Sequence, residues 1–475
     1  MDTLISISGL VEAAPWILVA IFALIVFQEA VNGFHDTANA VATVIYSNSL
    51  QPIPAVAIAA VGNFIGVVIG GTAVAFTLVY MLPSEMVAGI NTAWEASLLL
   101  ALIVTAVSWN FGTWWFGIPN STTHTYVGSI MGVAVAHAFL IGEPVAEQLN
   151  LHKAQSIFIT LLVSPIVGFA LAWIFLVILR RFLKDPAMYK PAERTTRPPR
   201  WVRSILIAGS AGVSVLHGSN DGQKSIGLMM LVLFALAPVM YGLNPSRLNA
   251  EQFANGLEIL QEVESIAGSF VADPQIGEGA RAVMQASDRV KRYMQEGKTS
   301  GLTTAEALQM RYDILDLHKR LGNVERAADR LHMLSRAQVR TLDSAYERIG
   351  AFVEGVPFWV ILVSALALGG GTAVGYRKIV ETLGEKMGSS HMNPAQGTAA
   401  QLAAIAGIAM ADLGHMPVST THVLSAGVTG TVVASPGEKV NWGTLRKIMI
   451  TWVTTLPGCM VLAFALGIFF NVAFA

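Results

Sequence analysis

Apolar residues occur along this chain in ten long stretches, at about 15–47, 54–81, 96–117, 121–141, 155–181, 203–240, 355–383, 398–413, 419–434 and 443–474. A straight helix needs about 20 apolar residues to cross a bilayer. Most of the stretches reach that length, so the pattern predicts an all-α polytopic membrane protein. The stretches 398–413 and 419–434 are shorter and read as the two arms of a re-entrant helical hairpin. The longer pair 96–117 and 121–141 is given the same reading because the halves of the chain match, as shown below. Residues 242–354 break the apolar pattern. Within them, 304–349 spaces Leu308, Tyr312, Leu315, Leu321, Val324, Leu331, Leu334, Val339 and Leu342 at helical intervals among balanced charges. This predicts amphipathic helices in a polar insert.

Three motifs occur twice. Gly33-Phe-His-Asp-Thr-Ala-Asn-Ala40 is similar to Gly218-Ser-Asn-Asp-Gly-Gln-Lys-Ser225, which aligns Asp36 with Asp221 at an offset of 185 residues. Gly70-Gly-Thr-Ala-Val74 recurs as Gly370-Gly-Thr-Ala-Val374, offset by 300. Pro119-Asn-Ser-Thr-Thr-His124 recurs as Pro417-Val-Ser-Thr-Thr-His422, offset by 298. The offset grows by 113 between the first and last pairs, and 242–354 is 113 residues long. The second half is therefore the first half plus one insert. The division is 1–181 for the first membrane repeat, 182–202 for a basic linker, 203–241 for the start of the second repeat, 242–354 for the insert and 355–475 for the rest.

Lys and Arg near the ends of spans set orientation. Arg180, Arg181, Lys184, Lys190, Arg194, Arg197, Arg200 and Arg203 make the linker cytoplasmic. Arg377, Lys378 and Lys386 mark a second cytoplasmic loop; Lys439, Arg446 and Lys447 mark a third. If each hairpin returns to the side it entered from, both termini and the insert are periplasmic. The halves are then inverted-topology repeats, each expected to hold a broken long helix and a re-entrant hairpin.

Composition narrows the function. Hydrophobic residues make up 53% and charged residues 13%, with a mean hydropathy of +0.57; soluble domains carry about 25% charge. In a membrane chain the net charge of −1 says nothing about nucleic acid, and a nucleic-acid partner is not expected. The single cysteine, Cys459, excludes an internal disulfide and a multi-Cys metal site. Asp2 and Glu12, with no Lys or Arg, precede the first apolar run, so no cleavable signal peptide is expected. No phosphate-binding P-loop, dinucleotide fingerprint or His-Glu-x-x-His motif is found. An enzyme and a resident cofactor are not expected.

Ionisable residues inside the bilayer are costly and mark function by default. Asp36 lies mid-span near Glu29, Asn32, His35 and Asn39, and Asn32, Asp36 and Asn39 share one helix face. Asp221 lies at the matching place near His217, Asn220, Gln223 and Lys224. The two aspartates suit a paired-carboxylate centre for cations or protons; the plainer reading is a polar network that fixes packing. Their occurrence in both copies favours the centre. Ser121, Thr122, Thr123 and Ser419, Thr420, Thr421 combine hydroxyls with the free N–H groups and positive dipole end of a helix, which suit an anion. Ordinary N-capping would also explain Ser and Thr there, but the duplicated hexapeptide favours a tetrahedral oxyanion held from both halves. Pro119 and Pro417 break each preceding arm. His124 and His422 either relay protons or hydrogen-bond their own hairpins, and Glu29 is a further relay candidate. The Gly-x-x-x-Gly runs beginning at Gly66, Gly128 and Gly218 read as close helix packing.

These motifs resemble the inorganic phosphate transporter (PiT) family, whose two inverted halves each carry a Gly-Ala-Asn-Asp-Val-Ala-Asn-Ala type signature and a Pro-x-Ser-Thr-Thr-His hairpin tip. The resemblance covers about 15–240 and 355–474, and the wording is most similar to low-affinity bacterial Pit-type members. It implies phosphate held by Ser121, Thr122, Thr123, Ser419, Thr420 and Thr421, with Asp36, Asn39, Asn220 and Asp221 lining the coupling-cation region. It also implies a homodimer in the bacterial inner membrane. His35 replaces the first Asn of the first signature, and Lys224 replaces the second Asn of the second. An Asn carbonyl can coordinate Na⁺; a Lys ammonium cannot. The expectation is that Lys224 takes the place of one sodium site. Coupling then runs on protons through Asp36 or Asp221, with phosphate carried as a complex with a divalent metal such as Mg²⁺. The alternatives are Na⁺ coupling, transport of sulfate or another tetrahedral oxyanion, and an anion channel.

Overall fold

The computed structural model describes residues 15–82, 86–87, 93–191, 197–297, 300–375, 379–380 and 391–474. Two compact units form. One holds 230–357 with Met86 and Val87, and the other holds the described residues of 14–83, 92–229 and 358–475. The second unit opens with α1 (Pro15–Tyr46), α2 (Pro52–Ile69), α3 (Ala73–Val79), α4 (Ala93–Trp115), α5 (Thr122–Ile141), α6 (Leu151–Phe182) and α7 (Arg200–Leu236, whose last residues count with the first unit). The first unit contains α8 (Ala250–Gly268), α9 (Gly277–Glu296), α10 (Thr304–Arg330) and α11 (Arg336–Gly350). The second resumes with α12 (Phe358–Gly375), α13 (Pro394–Leu413), α14 (Thr420–Val433) and α15 (Trp442–Phe474).

Among the described residues, seven helices are long and apolar enough to cross a membrane: α1, α2, α4, α5, α6, α12 and α15. The chain is thus a multi-pass membrane protein. Helices α6 and α15 turn large apolar side chains outward, including Phe158, Leu162, Ile166, Val453, Val461 and Phe469. Lipid, unlike water, solvates such a surface. Helix α14 is the opposite case. It has only 14 residues, and all of Thr420–Val432 is buried.

Small residues let the helices approach closely. A Cβ on Gly128 or Gly132 of α5 would lie 2.5 Å from the Leu456 carbonyl oxygen or 2.3 Å from that of Met460, both on α15. One on Gly66 of α2 would lie 2.0 Å from the Val215 oxygen of α7, and one on Gly218 would lie 2.2 Å from the Asn63 oxygen. The Gly-x-x-x-Gly runs are packing surfaces, as their spacing predicts.

The two aspartate-bearing helices, α1 and α7, run unbroken through Asp36 and Asp221. The apolar stretch 54–81 instead divides at Gly70-Gly71, where Gly71 has φ +78°. Its second copy does not divide: Gly370 and Gly371 stay inside α12. There Gly371 is pressed against α1, with its Cβ direction 2.0 Å from the Ala30 oxygen.

The 304–349 periodicity becomes α10 and α11. Their N-termini carry capping boxes, Thr303 with Glu306 and Ser335 with Gln338. The buried face of α10 keeps Leu315, Leu321 and Val324 of the expected stripe and adds residues beside them. Ala307, Met310, Ile314, Leu317, Leu321, Val324 and Ala328 are buried, whereas Tyr312 and Leu331 are exposed. Neighbouring helices α9 and α11 choose the face, and Ala and Met serve on it as well as Leu does. Arg311 is fully buried and donates to the carbonyls of Gly242 (2.7 Å), Val353 (2.9 Å) and Val87 (3.0 Å), with its guanidinium 3.5 Å above the Phe234 ring. Those contacts tie together the two ends of the polar segment. Of the orientation markers, Arg194, Arg377, Lys378 and Lys386 lie outside the described residues.

Candidate substrate and ion site

Each Ser-Thr-Thr cluster sits where a turn enters a helix. Ser121 is extended and accepts the His124 N–H at 3.2 Å, capping α5; Ser419 does the same for α14 through the His422 N–H at 3.2 Å. The serines therefore do the capping, and the hydroxyls of Thr122, Thr123 and Thr421 turn to partners in other elements. Both clusters are buried in the second unit. They are adjacent: Thr123 donates to the Val418 carbonyl at 2.9 Å, and the His124 and His422 rings lie 4.3 Å apart.

The aspartates meet the clusters crosswise. Asp36 of α1 receives the Thr421 hydroxyl at 2.5 Å, although 385 residues separate them. Asp221 of α7 receives the Thr122 hydroxyl at 3.0 Å. Asn39 donates to Asp36 (2.7 Å) and Thr421 (3.1 Å). Lys224, fully buried, makes the matching contacts on the other side, donating to Asp221 (2.7 Å), Thr123 (2.6 Å) and the Val418 carbonyl (3.3 Å). An amide on one side thus corresponds to an ammonium on the other. The clusters are thus not served by neutral groups alone, since Lys224 reaches Thr123 from 101 residues away.

His217 joins the two aspartates. Its Nε2 stands 3.2 Å from Asp36 Oδ2 and 3.7 Å from Asp221 Oδ2, and its Nδ1 is 2.9 Å from Asn63 Oδ1. Donor atoms of Asp36, His217 and Asp221 lie within 4.8 Å of one another. Two carboxylates and an imidazole form a donor set suited to a divalent cation. Asn220 is placed differently from its sequence assignment. It donates to Asp412 (2.6 Å) and the Met416 carbonyl (3.2 Å) and accepts from the Val418 N–H, so it shapes the turn before the second cluster. Thr420 is buried in the first turn of α14. His124 Nδ1 is 2.8 Å from Ser121 Oγ, whereas His422 stacks on Trp452 at 4.1 Å and its ring nitrogens have no hydrogen-bond partner among the described residues. Glu29 is buried lower on α1, where Ser225 and Asn32 donate to it.

Three contributors are not apparent from the residues alone. Asp412 carried a signal, as a lone acid in an apolar stretch. His217 was visible inside the signature, but its bridging role was not. Ser225, which receives no special mark from spacing, links Glu29 to the Tyr126 hydroxyl at 3.2 Å.

A buried centre of opposed helix N-termini, two aspartates and one lysine, within a bundle of membrane-crossing helices, defines a membrane carrier for a small ionic solute. Comparison supplies the family. The family described as "Phosphate transporter family" matches residues 32–463, and this chain belongs to it. The chain is 35% identical to the low-affinity inorganic phosphate transporter PitA of Escherichia coli K12, covering 94% of this chain and 95% of that protein, and equally to PitB of the same strain. It is 27% identical to a probable low-affinity inorganic phosphate transporter of Bacillus subtilis, covering 90% and 89%. Among solved structures it resembles one titled "The sodium-dependent phosphate transporter", with a TM-score of 0.53, 18% identity, and 96% of this chain and 99% of that one covered. At that identity the likeness is one of fold.

Proposed function

We propose that this chain imports inorganic phosphate across the bacterial inner membrane as a complex with a divalent cation, in symport with protons. The crossed contacts of Lys224 and Asn39 carry the proposal. The threonine hydroxyls and first-turn N–H groups of α5 and α14 would hold the phosphate oxygens. The donor atoms of Asp36, His217 and Asp221 would meet the cation, which travels as cargo. Lys224 supplies a permanent positive charge where its counterpart Asn39 has a neutral amide, so no mobile cation is needed on that side. Family membership and the low-affinity relatives support phosphate as the substrate. The two turns would be the tips of re-entrant hairpins in inverted halves, rocking against each other, in a homodimer with the 242–354 insert on the periplasmic side.

One observation favours a second reading. Asp36 and Asn39 keep an oxygen-rich arrangement with no lysine at the second cluster, and the solved structure of similar fold is titled sodium-dependent. Phosphate uptake into proteoliposomes under separately imposed Na⁺ and H⁺ gradients, with and without Mg²⁺, decides between them. Uptake driven by the proton gradient, insensitive to Na⁺ and dependent on Mg²⁺ is expected. Uptake that requires Na⁺ would overturn proton coupling, and equal competition by sulfate would overturn phosphate selectivity.

A further inference from the structure

We infer that Glu29, rather than Asp36 or Asp221, is the carboxyl that takes up and releases the coupling proton. The inference rests on the proton-symport reading above and assigns its site. Glu29, Asn32, Asp36 and Asn39 lie along one face of α1, and all four side chains are buried. The described carboxyls of this centre differ in their partners. Asp36 faces His217 and receives Thr421; Asp221 holds Lys224 and receives Thr122. A proton on Asp221 would weaken its ion pair with Lys224, a proton on Asp36 would disturb its contact with His217, and either would loosen a threonine at a helix N-terminus. Asp412 accepts from Ser219 and Asn220 but remains partly exposed.

Glu29 alone among them is both fully buried and without a cationic partner. Its Oε2 accepts from the Ser225 hydroxyl and, at 3.4 Å, from the Asn32 amide; its Oε1 has no hydrogen-bond partner among the described residues. It can gain or lose a proton without breaking an ion pair. An ionised carboxylate with only neutral donors is unfavourable in an apolar interior, so its charge state answers to the net charge nearby. The titratable groups whose charge reaches it are Asp221 and His217 on α7 and Tyr126 on α5; Lys224 is held by Asp221, and Asp36 lies about two turns along α1. Ser225, which donates to Glu29, lies four residues beyond Asp221 on α7, about 6 Å along the axis. Because the divalent cation offsets the phosphate charge, coupling lies in the carrier changing sides loaded only when Glu29 is protonated, its ionised form being the unfavourable one in the closed interior; that mutual dependence is symport. The step balances simply. A carboxyl O–H bond forms as an O–H bond of an external water-borne donor breaks, and the reverse occurs with water on the cytoplasmic side.

The full chain in proteoliposomes tests this with two readouts, accumulation of labelled phosphate under an inward proton gradient and gradient-free exchange of labelled for unlabelled phosphate. Glu29→Gln keeps the side-chain shape. It is expected to lose accumulation, retain exchange, and lose the pH dependence of exchange. Glu29→Asp is expected to recover accumulation with a displaced pH profile. Undiminished accumulation in Glu29→Gln would overturn the assignment, as would loss of exchange together with accumulation, since the side chain would then serve cargo binding or packing. Failure of the underlying reading is separate: it would appear in the wild-type protein as accumulation under a Na⁺ gradient and none under a proton gradient.

Discussion

Lys224 occupies a position that sequence comparison between the halves singles out and that only the fold explains. Its ammonium neutralises Asp221, fixes the Thr123 hydroxyl and reaches the Val418 carbonyl, all without solvent. Removing one partner of a buried ion pair leaves the other charge uncompensated, at a cost of about 3–5 kcal/mol. Lys224→Ala is therefore expected to lose phosphate uptake and to lower thermal stability in detergent by about that amount. Adding Asp221→Asn to Lys224→Ala should restore much of the stability without restoring uptake. A double variant no more stable than Lys224→Ala would show that the pair does not act as a unit. Residue identity was legible in the sequence here: a lysine stands where the first copy has an asparagine. The partner was not, because Thr123 lies 101 residues away on another helix.

At the scale of the element, the helices are held by backbone contact through glycine. Gly370 and Gly371 are adjacent in α12 yet meet opposite surroundings. A Cβ on Gly371 would lie 2.0 Å from the Ala30 oxygen of α1, next to Glu29; one on Gly370 would meet nothing within 4 Å. Gly371→Ala must push α1 away and is expected to destabilise by about 1–3 kcal/mol, as overpacking does. Gly370→Ala should be neutral or stabilising by about 1 kcal/mol, the difference in helix propensity. Thermal melting of the two variants in detergent checks this, and equal loss in both would show that α12 does not pack on α1 as described. The positions of α5 and α14 followed from Pro119, Pro417 and the hydroxyl clusters, since proline and capping residues act locally. The break at Gly70-Gly71 and its absence at Gly370-Gly371 did not follow. In the first copy Gly70, whose Cβ direction is 2.7 Å from Ser219, ends α2, Gly71 takes φ +78° in open space and α3 starts at Ala73, whereas in the second copy all five residues stay within α12.

For the whole molecule, the proposed topology puts the insert outside and the basic linker inside. Cys459 is buried, so added cysteines can be labelled against a low background. Ser269 and Lys184 are both exposed. A membrane-impermeant maleimide applied to intact cells is expected to label Ser269→Cys and not Lys184→Cys; the reverse pattern would invert the orientation. The sequence by itself determined the membrane class, the doubled motifs and the length of the polar insert, because hydropathy, helix period and repeat offset are properties of the chain read in order. The tertiary structure decided which residues meet. It crossed Asp36 to Thr421 and Asp221 to Thr122, set His217 between the aspartates, and left Glu29 with neutral partners only. Those choices depend on how helices pack side by side, and no local pattern encodes the distance between groups that lie up to 385 residues apart.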